Sequence, residues 1–396
     1  MELKPIVNLL INEAVSLRRD FHRFPEIGWN EVRTSKKIYQ YLEEINLEVK
    51  KIASTGVIGL LRGKKKGPTL LIRSDIDALP VQEMNEVSYK STIPGVMHAC
   101  GHDGHMAMLL IAAKILSKYY KNRINGNIKF VFQPDEESAE GAKRIIKEGV
   151  LSNPKVNAAM GIHLWSQLEK GTVGIKDGAI MASLATFRIK VVGKGGHTGY
   201  PDHAIDPVMA AANIIQQIQI IQTREINQLN PLIIMIGKIS GGKKNNIIPD
   251  FVELEGTIRY LERDKYQKSI KPIERFKELI YSISQVNRVQ IEIEITEKNK
   301  MVVNDKQLTE IIKSAAIKVV DRDKIIDFTC SASEDFSEFS HTVPSVFYFL
   351  GCGNSNIEKR VSHHNCFFNI DEDMLPIGIE MHVQSALEFF KKYKIT

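Results

Sequence analysis

Residues 97–105 read Met97-His98-Ala99-Cys100-Gly101-His102-Asp103-Gly104-His105, and an apolar stretch that favours a helix over 104–120 follows them. One cysteine, three histidines and one aspartate thus fall within nine positions. Thiolate, imidazole and carboxylate groups bind zinc-like cations, and Gly101 gives Cys100 and His102 the freedom to turn toward one point. This stretch predicts a metal site at the start of a helix, with further ligands to come from other parts of the chain.

Periodic segments on both sides of this cluster alternate between strand and helix. The first half predicts, in order, a helix over 31–45, strands over 56–61 and 69–72, the helix 104–120, a strand over 127–132, a helix over 141–149 and a strand over 158–164. From about residue 184 the order becomes β-α-β-β-α-β, with strands over 187–192, 232–239, 251–260 and 289–295 and helices over 207–222 and 266–286. A helix over 306–320, a strand over 346–350 and a helix over 374–393 then resume the first pattern.

These patterns predict an α/β fold, in which a mixed and mainly parallel sheet is covered by helices. The β-α-β-β-α-β segment predicts a ferredoxin-like α+β domain inserted into it. We expect the larger domain to be discontinuous, over 1–182 and 297–396, and the inserted domain to span 183–296.

Composition is ordinary for a globular protein, with 43% hydrophobic and 25% charged residues and a net charge of +6. The first residues do not resemble a targeting leader, no apolar run approaches the ~18 residues of a membrane span, and the four cysteines have no regular spacing. We therefore expect a cytoplasmic protein in a reducing compartment. The lysine runs at 64–66 and 243–244 lie beside glycines, which indicates solvated turns, so neither a nucleic acid nor a membrane is expected as a partner.

Polar side chains follow three of the predicted strands at the points where the strands end. Arg73-Ser74-Asp75-Ile76-Asp77 follows one, Gln133-Pro134-Asp135-Glu136-Glu137 follows the next, and His163 ends the third. Open α/β sheets place their ligand sites at such strand ends. Three consecutive acids repel one another unless they are protonated or bound to cations. The strand-end position and the nearby Cys/His cluster favour a function for Glu136 and Glu137, whereas Asp135 is equally compatible with a solvated loop.

Nine motifs occur in one order along nearly the whole chain: His22-Arg23-Phe24-Pro25-Glu26, Asp75-Ile76-Asp77-Ala78-Leu79-Pro80, the cluster 97–105, Phe132-Gln133-Pro134 with Glu136-Glu137, Gly195-Gly196-His197, Asn246-Ile247-Ile248-Pro249, Gly256-Thr257-Ile258-Arg259, Ser333-Glu334-Asp335-Phe336 and His363-His364. In this order they resemble the metal-dependent amidohydrolases. That family includes hippurate hydrolases, N-acyl amino acid amidohydrolases, indole-acetyl-amino-acid hydrolases and related carboxypeptidases. The resemblance implies a zinc-peptidase-like catalytic domain, and an inserted domain that acts as a lid and forms a homodimer or higher homo-oligomer.

The resemblance also implies two divalent metal ions, zinc first among them, with manganese, cobalt or nickel as alternatives. Cys100 would bridge both ions, His102 and His163 would complete the coordination of one, and Glu137 and His364 that of the other. Each of these side chains has the chemistry to bind such ions once the thiol is ionised. His363 lies directly beside His364, and the sequence does not choose between the two neighbours.

Five further residues are candidates for roles in catalysis and substrate binding. Glu136 is the candidate general base that takes a proton from a metal-activated water and passes it to the leaving amine. Asp77 is expected to orient a ligand histidine, with a strand-end cap as the alternative. His197 is expected to approach the oxyanion, from the partner subunit in the family pattern, with a surface turn as the alternative. Asn246 and Arg259 are candidates to grip a substrate carboxylate, although Arg259 equally fits a surface position.

We therefore expect a dinuclear metal-dependent hydrolase that cleaves an amide or peptide bond N-terminal to an amino acid with a free carboxylate, as an N-acyl amino acid amidohydrolase or a carboxypeptidase. A zinc deaminase is disfavoured because its H-x-E and P-C-x-x-C pattern is absent. A non-enzymatic small-molecule or peptide-binding protein with a structural metal would need only four ligands and no spare base.

Asp135 departs from the family pattern, which usually has a small residue at this position. A carboxylate that faced the site would raise the pKa of Glu136, whereas one that faced solvent would have no effect. The sequence does not choose between these two orientations.

Overall fold

The structure is a computed structural model that describes residues 2–227, 230–261 and 271–393. Its helices, in chain order, are α1 (Leu3–Arg23), α2 (Val32–Glu44), α3 (His102–Tyr119), α4 (Gly141–Lys147), α5 (Pro207–Ile220), α6 (Pro272–Asn287), α7 (Lys306–Ala316), α8 (Ser337–Ser340) and α9 (Leu375–Lys392). None of the helices in the described ranges is both long enough and apolar enough to cross a membrane.

The strands, in chain order, are β1 (Glu48–Ile52), β2 (Gly56–Arg62), β3 (Lys65–Asp75), β4 (Asn125–Gln133), β5 (Ala158–Glu169), β6 (Val173–Gly174), β7 (Gly178–Met181), β8 (Ser183–Val192), β9 (Gly196–His197), β10 (Leu232–Gly241), β11 (Ile247–Ile248), β12 (Phe251–Tyr260), β13 (Gln290–Asn299), β14 (Val302–Asn304), β15 (Ile325–Ile326) and β16 (Ser345–Gly353). The chain divides into two compact units. The first comprises Met1–Ile180, Val302–Thr329 and Glu334–Thr396, and the second Met181–Met301 and Cys330–Ser333.

The first unit is built on a mixed sheet with the strand order β1-β2-β4-β3-β5-β16-β6-β15. Its central strands β4, β3, β5 and β16 run parallel, whereas β1 and β2 pair with their neighbours antiparallel. Strand β6 pairs antiparallel with β16 and parallel with β15. The predicted α/β class, with a mixed and mainly parallel sheet, is therefore confirmed. Parallel strands place their carboxyl ends at one edge of a sheet, so the segments that follow β3 and β4 come close together there.

Helix α3 lies in the core of the first unit and packs against α1, α9 and β3. Nearly all of its residues are buried, because its sequence is apolar around the whole circumference rather than along one stripe. A helix with this much apolar surface cannot shift without exposing it to water. The histidine at its first position is consequently held in place by the core.

Helix α1 and strand β1 have no counterpart among the sequence-based expectations. A signal for α1 does exist, since its buried apolar residues have the spacing of one helix face: Leu3, Ile6, Val7, Ala14, Leu17 and Phe21. Arg18 and His22 interrupt this stripe, yet both are buried, because their charges meet Asp103 on α3 at 2.7 Å and 2.8 Å. At the end of the helix, buried ion pairs thus take the place of apolar contacts. The apolar periodicity of the α1 sequence is interrupted there.

The second unit has the order β8-α5-β10-β12-α6-β13 and an antiparallel sheet in which the strands lie side by side as β10-β12-β8-β13. This is the ferredoxin-like arrangement. Its core is formed by the inward-facing side chains of the strands and by α5 and α6. The helix predicted over 266–286 corresponds to α6 from Pro272 onward, and its first part, 266–270, lies outside the described residues.

Candidate metal centre

The candidate centre lies in the first unit, where the start of α3 meets the ends of the parallel strands. Gly101 precedes the first residue of α3 with a φ of +89°, a left-handed conformation that glycine adopts without strain. This turn separates Cys100 from His102 and allows both side chains to point the same way. The segments after β3 and β4 supply Asp77 and Glu136 at the same edge of the sheet.

Two groups of donor atoms converge at this place and share the thiol of Cys100. The donor atoms of Cys100, His102 and His163 all lie within 4.8 Å of one another, and so do those of Cys100, Glu137 and His364. Within these groups, Cys100 Sγ is 3.6 Å from His163 Nε2, and His364 Nε2 is 3.4 Å from Glu137 Oε1. The fold therefore brings all the predicted ligands together, in the two sets expected for a shared thiolate.

The donor atoms of these side chains that are left without hydrogen-bond partners are suited to bind divalent cations. His102 Nδ1 donates to the carbonyl oxygen of Asp77 at 2.9 Å, and His163 Nδ1 donates to that of Leu164 at 2.7 Å. Each imidazole is thereby fixed in the tautomer that leaves a lone pair on Nε2. His102 Nε2 and Glu137 Oε1 are both buried, lie 4.0 Å apart and have no hydrogen-bond partner among the described residues. Buried polar atoms of this kind call for a ligand, and a cation satisfies both.

The electrostatics around the thiol are dominated by burial and by carboxylates. Burial, reinforced by the charges of Glu137 and Glu136, raises the pKa of Cys100 well above its usual value. Burial lowers the pKa of His163, whereas for His102 the charge of Asp75 and the contacts with Asp77 outweigh burial and raise the pKa to about 10. Cations at the centre would reverse this balance, because they favour the thiolate and neutral imidazoles.

Glu136 is buried next to the candidate ligand Glu137, and a carboxylate oxygen of Glu136 lies within 4.8 Å of donor atoms of His102 and Glu137. Its Oε1 accepts a hydrogen bond from the backbone N–H of Asp335 at 3.4 Å. Burial raises the pKa of Glu136 well above its usual value, and the charges of Glu334 and Glu137 act in the same direction. A carboxyl group in such surroundings is a stronger proton acceptor than an exposed one.

Arg73 is a buried residue whose role sequence reasoning missed. Its guanidinium lies 2.7 Å from Asp75, 2.9 Å from Glu334 and 2.9 Å from Asp335, and its Nε donates to Gln133 Oε1 at 2.9 Å. It balances the acidic side chains around the candidate base. The motif Ser333-Glu334-Asp335-Phe336 was a signal for this cluster, but its partner lies 261 residues away in the chain.

Asp77 contacts both sets of candidate ligands. Besides the contact of its carbonyl with His102, its Oδ1 lies 3.3 Å from His102 Nδ1. Its Oδ2 accepts a hydrogen bond from the backbone N–H of Glu137 at 3.0 Å. The position is suited to the predicted orienting role.

The structure distinguishes His363 from His364. The ring of His363 packs against Trp165 with 4.6 Å between centroids, its Nε2 donates to the carbonyl of Leu164 at 3.0 Å, and burial lowers its pKa to about 4. His364 instead turns toward Glu137, with its own backbone N–H bonded to Ala99. Of these two neighbours, His364 is the one with a donor atom in the centre.

Two other residues of the cluster 97–105, His105 and Asp103, form buried contacts around the centre. His105 Nδ1 donates to Asp75 Oδ1 at 2.7 Å, and its Nε2 accepts from the backbone N–H of Leu164 at 2.8 Å, which holds the strand next to His163. Asp103 binds Arg18 and His22 as described above. His98 is also buried, and neither of its ring nitrogens bonds to another described residue.

The other three candidates lie in the second unit. His197 is exposed on the two-stranded ribbon of β9 and β11, and its Nδ1 accepts from the backbone N–H of Gly199 at 2.9 Å. Asn246 lies just before β11, and its carbonyl faces the N–H of Thr198 at 3.4 Å. Arg259 is half-buried near the end of β12, with its guanidinium 3.4 Å from the carbonyl of Ser331 and 3.4 Å from Ser333 Oγ.

Residues 71–388 match the model of peptidase family M20/M25/M40. The chain belongs to this family. All of the candidate ligands, together with Asp77, Glu136, His197, Asn246 and Arg259, lie inside the matched segment. The family match agrees with the resemblance drawn from the sequence motifs.

Similar proteins span nearly the whole chain. The IAA-amino acid hydrolase ILR1-like 4 of Arabidopsis thaliana is 36% identical over 386 residues, which cover 96% of this chain and 86% of that protein. Thermostable carboxypeptidase 2 of Saccharolobus solfataricus is 36% identical over 399 residues, with 99% of each chain covered. The crystal structure of the Bacillus subtilis YXEP protein, a dinuclear metal binding peptidase from the M20 family, superposes with a TM-score of 0.84 at 30% identity, covering 98% of this chain and 99% of that one.

The M20 family and these relatives show that the chain is a metal-dependent amidohydrolase or carboxypeptidase. The alternative of a non-enzymatic binding protein with a structural metal is therefore wrong. Its physical requirement, a closed set of four ligands without a spare base, also disagrees with the buried Glu136 beside the donor groups.

Proposed function

We propose that the protein is a dinuclear hydrolase that cleaves the amide or peptide bond N-terminal to an amino acid with a free carboxylate. The observation that carries this proposal is the pair of donor groups that share Cys100, with Glu136 buried beside them and outside both groups. An N-acyl amino acid amidohydrolase and a carboxypeptidase both fit this description, and the relatives include one named an IAA-amino acid hydrolase and one named a carboxypeptidase.

Cys100 would bridge two divalent ions, with His102 and His163 holding one of them and Glu137 and His364 the other. A thiolate with imidazoles suits zinc, while manganese, cobalt and nickel accept the same donors. When bound, such ions lower the pKa of a coordinated water and stabilise negative charge on a carbonyl oxygen.

The side chains of the protein supply the proton transfers and the orientation. Glu136 takes a proton from the attacking water and returns it to the leaving amine. Its burial and acidic surroundings support this role, because they make the carboxylate more basic. Asp77 holds the His102 ring through Nδ1 and the Glu137 backbone through its N–H, so two ligands keep their places during turnover.

Arg259 is the proposed partner of the substrate carboxylate. Its guanidinium is half-buried, and the part of the chain that the structure describes places no carboxylate within ion-pair distance of it, so the contacts described are two neutral serine oxygens. A buried guanidinium without a counter-charge favours the binding of an anion. Asn246 is proposed to add amide donors to the same carboxylate.

The proposal includes a homodimer or higher homo-oligomer, with His197 donating to the oxyanion of the partner subunit's site. Strand β10 forms one edge of the sheet of the second unit, and Met235 and Ile239 on it are 59% and 58% exposed. Val208 and Met209 on α5 are also exposed. Among the described residues β10 is an edge strand, and exposed apolar side chains on an edge strand support subunit association.

The proposed reaction is tested by a panel of N-acetyl amino acids, N-benzoyl amino acids and N-blocked dipeptides, on protein whose metal content has been measured. We expect hydrolysis of substrates with a free α-carboxylate, loss of activity when a chelator removes the metals, and recovery when zinc, manganese, cobalt or nickel is returned. The acyl and dipeptide arms distinguish deacylase from carboxypeptidase action. Full activity of the metal-free protein would contradict the proposal.

Arg259→Met is expected to raise KM about 10- to 100-fold for substrates with a free carboxylate, because a hydrogen bond to a charged group contributes about 1.5–3 kcal/mol. The kcat should change much less, since the carboxylate does not take part in bond cleavage. Steady-state kinetics with matched free-acid and α-amide substrates measure the effect.

The control for this prediction is Arg188→Met, which removes an exposed arginine of β8 that pairs with Glu253. It should leave KM unchanged. An Arg259→Met variant that still prefers the free acid over the amide would exclude Arg259 as the carboxylate partner.

A further inference from the structure

Asp135 occupies the position at which the family pattern has a small residue, and its carboxylate points in neither of the directions expected from the sequence. The residue is only 4% exposed, so it does not face solvent. Its charge is not among the main influences on Glu136, which come from burial and from Glu334, Glu137, Asp335 and Arg73. The side chain instead packs against the connection between α1 and α2.

Close contacts define this packing. Gly28 lies so near that a Cβ added to it would be 2.0 Å from Asp135 Oδ1. The hydroxyl of Ser138 donates to Asp135 Oδ2 in a short hydrogen bond. The backbone N–H of Asp135 donates to Glu31 Oε1 at 3.0 Å, and its carbonyl accepts from the N–H of Gly141 at 3.0 Å.

Glu31 connects this loop to α2 and to the turn between β1 and β2. It is fully buried at the start of α2, and its Oε2 accepts a hydrogen bond from the Thr55 hydroxyl at 2.7 Å in the turn between β1 and β2. The same carboxylate therefore holds the loop of Asp135 and the first hairpin of the sheet together. Buried and fully bonded networks of this kind restrict motion.

The backbone of Asp135 determines where the next two side chains point. Its φ of +52° lies in the left-handed region, where aspartate is tolerated better than most residues. This conformation turns the chain so that Asp135 faces Gly28, while Glu136 accepts from Asp335 on the other side. Asp77 holds the loop one residue later, through the N–H of Glu137.

We propose that Asp135 is a positioning residue, which holds the segment 134–141 against residues 28–31 so that Glu136 keeps its place beside the donor groups, while Asp77 holds Glu137 through its backbone N–H. This inference rests on the proposed function, in which Glu136 acts as the base. Asp135 itself touches no reacting group.

Asp135→Gly is the decisive variant, because glycine adopts the left-handed conformation freely and removes only the side-chain anchor. We expect kcat to fall about 10- to 100-fold with KM and metal content unchanged, since a misplaced base loses rate without losing affinity. Asp135→Asn preserves the shape, an acceptor and a tolerance for positive φ, so it should retain most of the activity. The matched control Asn46→Gly makes the same backbone change at an exposed left-handed residue after α2, with φ +59°, and should leave kcat unchanged.

Gly28→Ala tests the same contact from the other side. The added methyl would displace the Asp135 carboxylate, so kcat should fall even though Asp135 is present. The double variant Gly28→Ala with Asp135→Gly should have a kcat close to that of Asp135→Gly alone, because Asp135→Gly removes the side-chain atoms that the added methyl would meet at 2.0 and 2.9 Å and leaves only a 3.2 Å approach to the Cα of residue 135. Additive losses in the double variant would overturn the proposal.

An Asp135→Gly variant with the kcat of the wild type would also overturn the positioning role. A loss of activity in that variant that follows loss of metal would overturn it as well. Glu136→Gln measured on the same substrate separates this failure from failure of the proposed function. An active Glu136→Gln would overturn the proposed function itself. An inactive Glu136→Gln beside a fully active Asp135→Gly would overturn only the role of Asp135.

Discussion

Replacement of Glu136 by glutamine is expected to lower kcat by about 10²- to 10⁴-fold, the range that general acid–base groups contribute. Glutamine keeps the size of the side chain and its acceptor oxygen for the Asp335 N–H, but it can neither take nor return a proton. The substitution also removes a buried acidic group from a crowded set of carboxylates, so folding should not suffer.

Metal content separates a catalytic effect from a structural one in this variant. Glu136 lies outside the two donor groups that share Cys100, so two metals per chain should remain bound, as measured by elemental mass spectrometry. The control is Glu140→Gln, which changes an exposed carboxylate of the same loop and should leave kcat unchanged. Near-normal turnover of Glu136→Gln would remove Glu136 from the mechanism.

Cys100→Ala is expected to abolish activity and to release both metals. Cys100 is the only residue common to the two donor groups of the described chain that contain His163 and His364, so its removal leaves each group with two side chains. Loss of one ligand from a buried site reduces affinity strongly, and loss of a shared ligand affects both ions at once. The measurements are metal content after dialysis against a weak chelator, and hydrolysis of the best substrate of the panel.

Cys352→Ala is the matched control for this prediction. Cys352 is also a buried cysteine of the first unit, but it lies in the apolar core and belongs to none of the donor groups found among the described residues. Its replacement should cost some stability and leave the metal content unchanged. Retention of two tightly bound metals in Cys100→Ala would show that the thiol does not bridge them.

Elements with a regular apolar pattern could be predicted from the sequence. The predicted helix over 104–120 is α3, His102–Tyr119, and the predicted strand over 251–260 is β12, Phe251–Tyr260. Helix α1 also has apolar residues at helical spacing, but Arg18 and His22 occupy part of its buried face and are stabilised there by Asp103 on another helix, which obscured the pattern. A polar residue among the buried positions of a helix can be recognised as buried only when its distant partner is known.

The candidate ligands could also be proposed from the sequence, because thiol, imidazole and carboxylate groups have a chemistry that does not depend on context. The partners of those groups could not. Arg73 gathers Asp75, Glu334 and Asp335 across 261 residues of sequence, and no local pattern records that distance. The same limit applies to Asp135, whose direction depends on Gly28 in a different part of the chain.

By itself, the sequence determined the α/β class, the ferredoxin-like order of the second unit and the set of side chains able to bind metals. These follow from periodicity and from donor chemistry, which are properties of neighbouring residues. Only the tertiary structure decided that His364 rather than His363 faces the centre, that Glu136 points toward Asp335, and that Asp135 packs on Gly28. Adjacent side chains of similar chemistry are distinguished by what surrounds them, and long-range packing alone creates those surroundings.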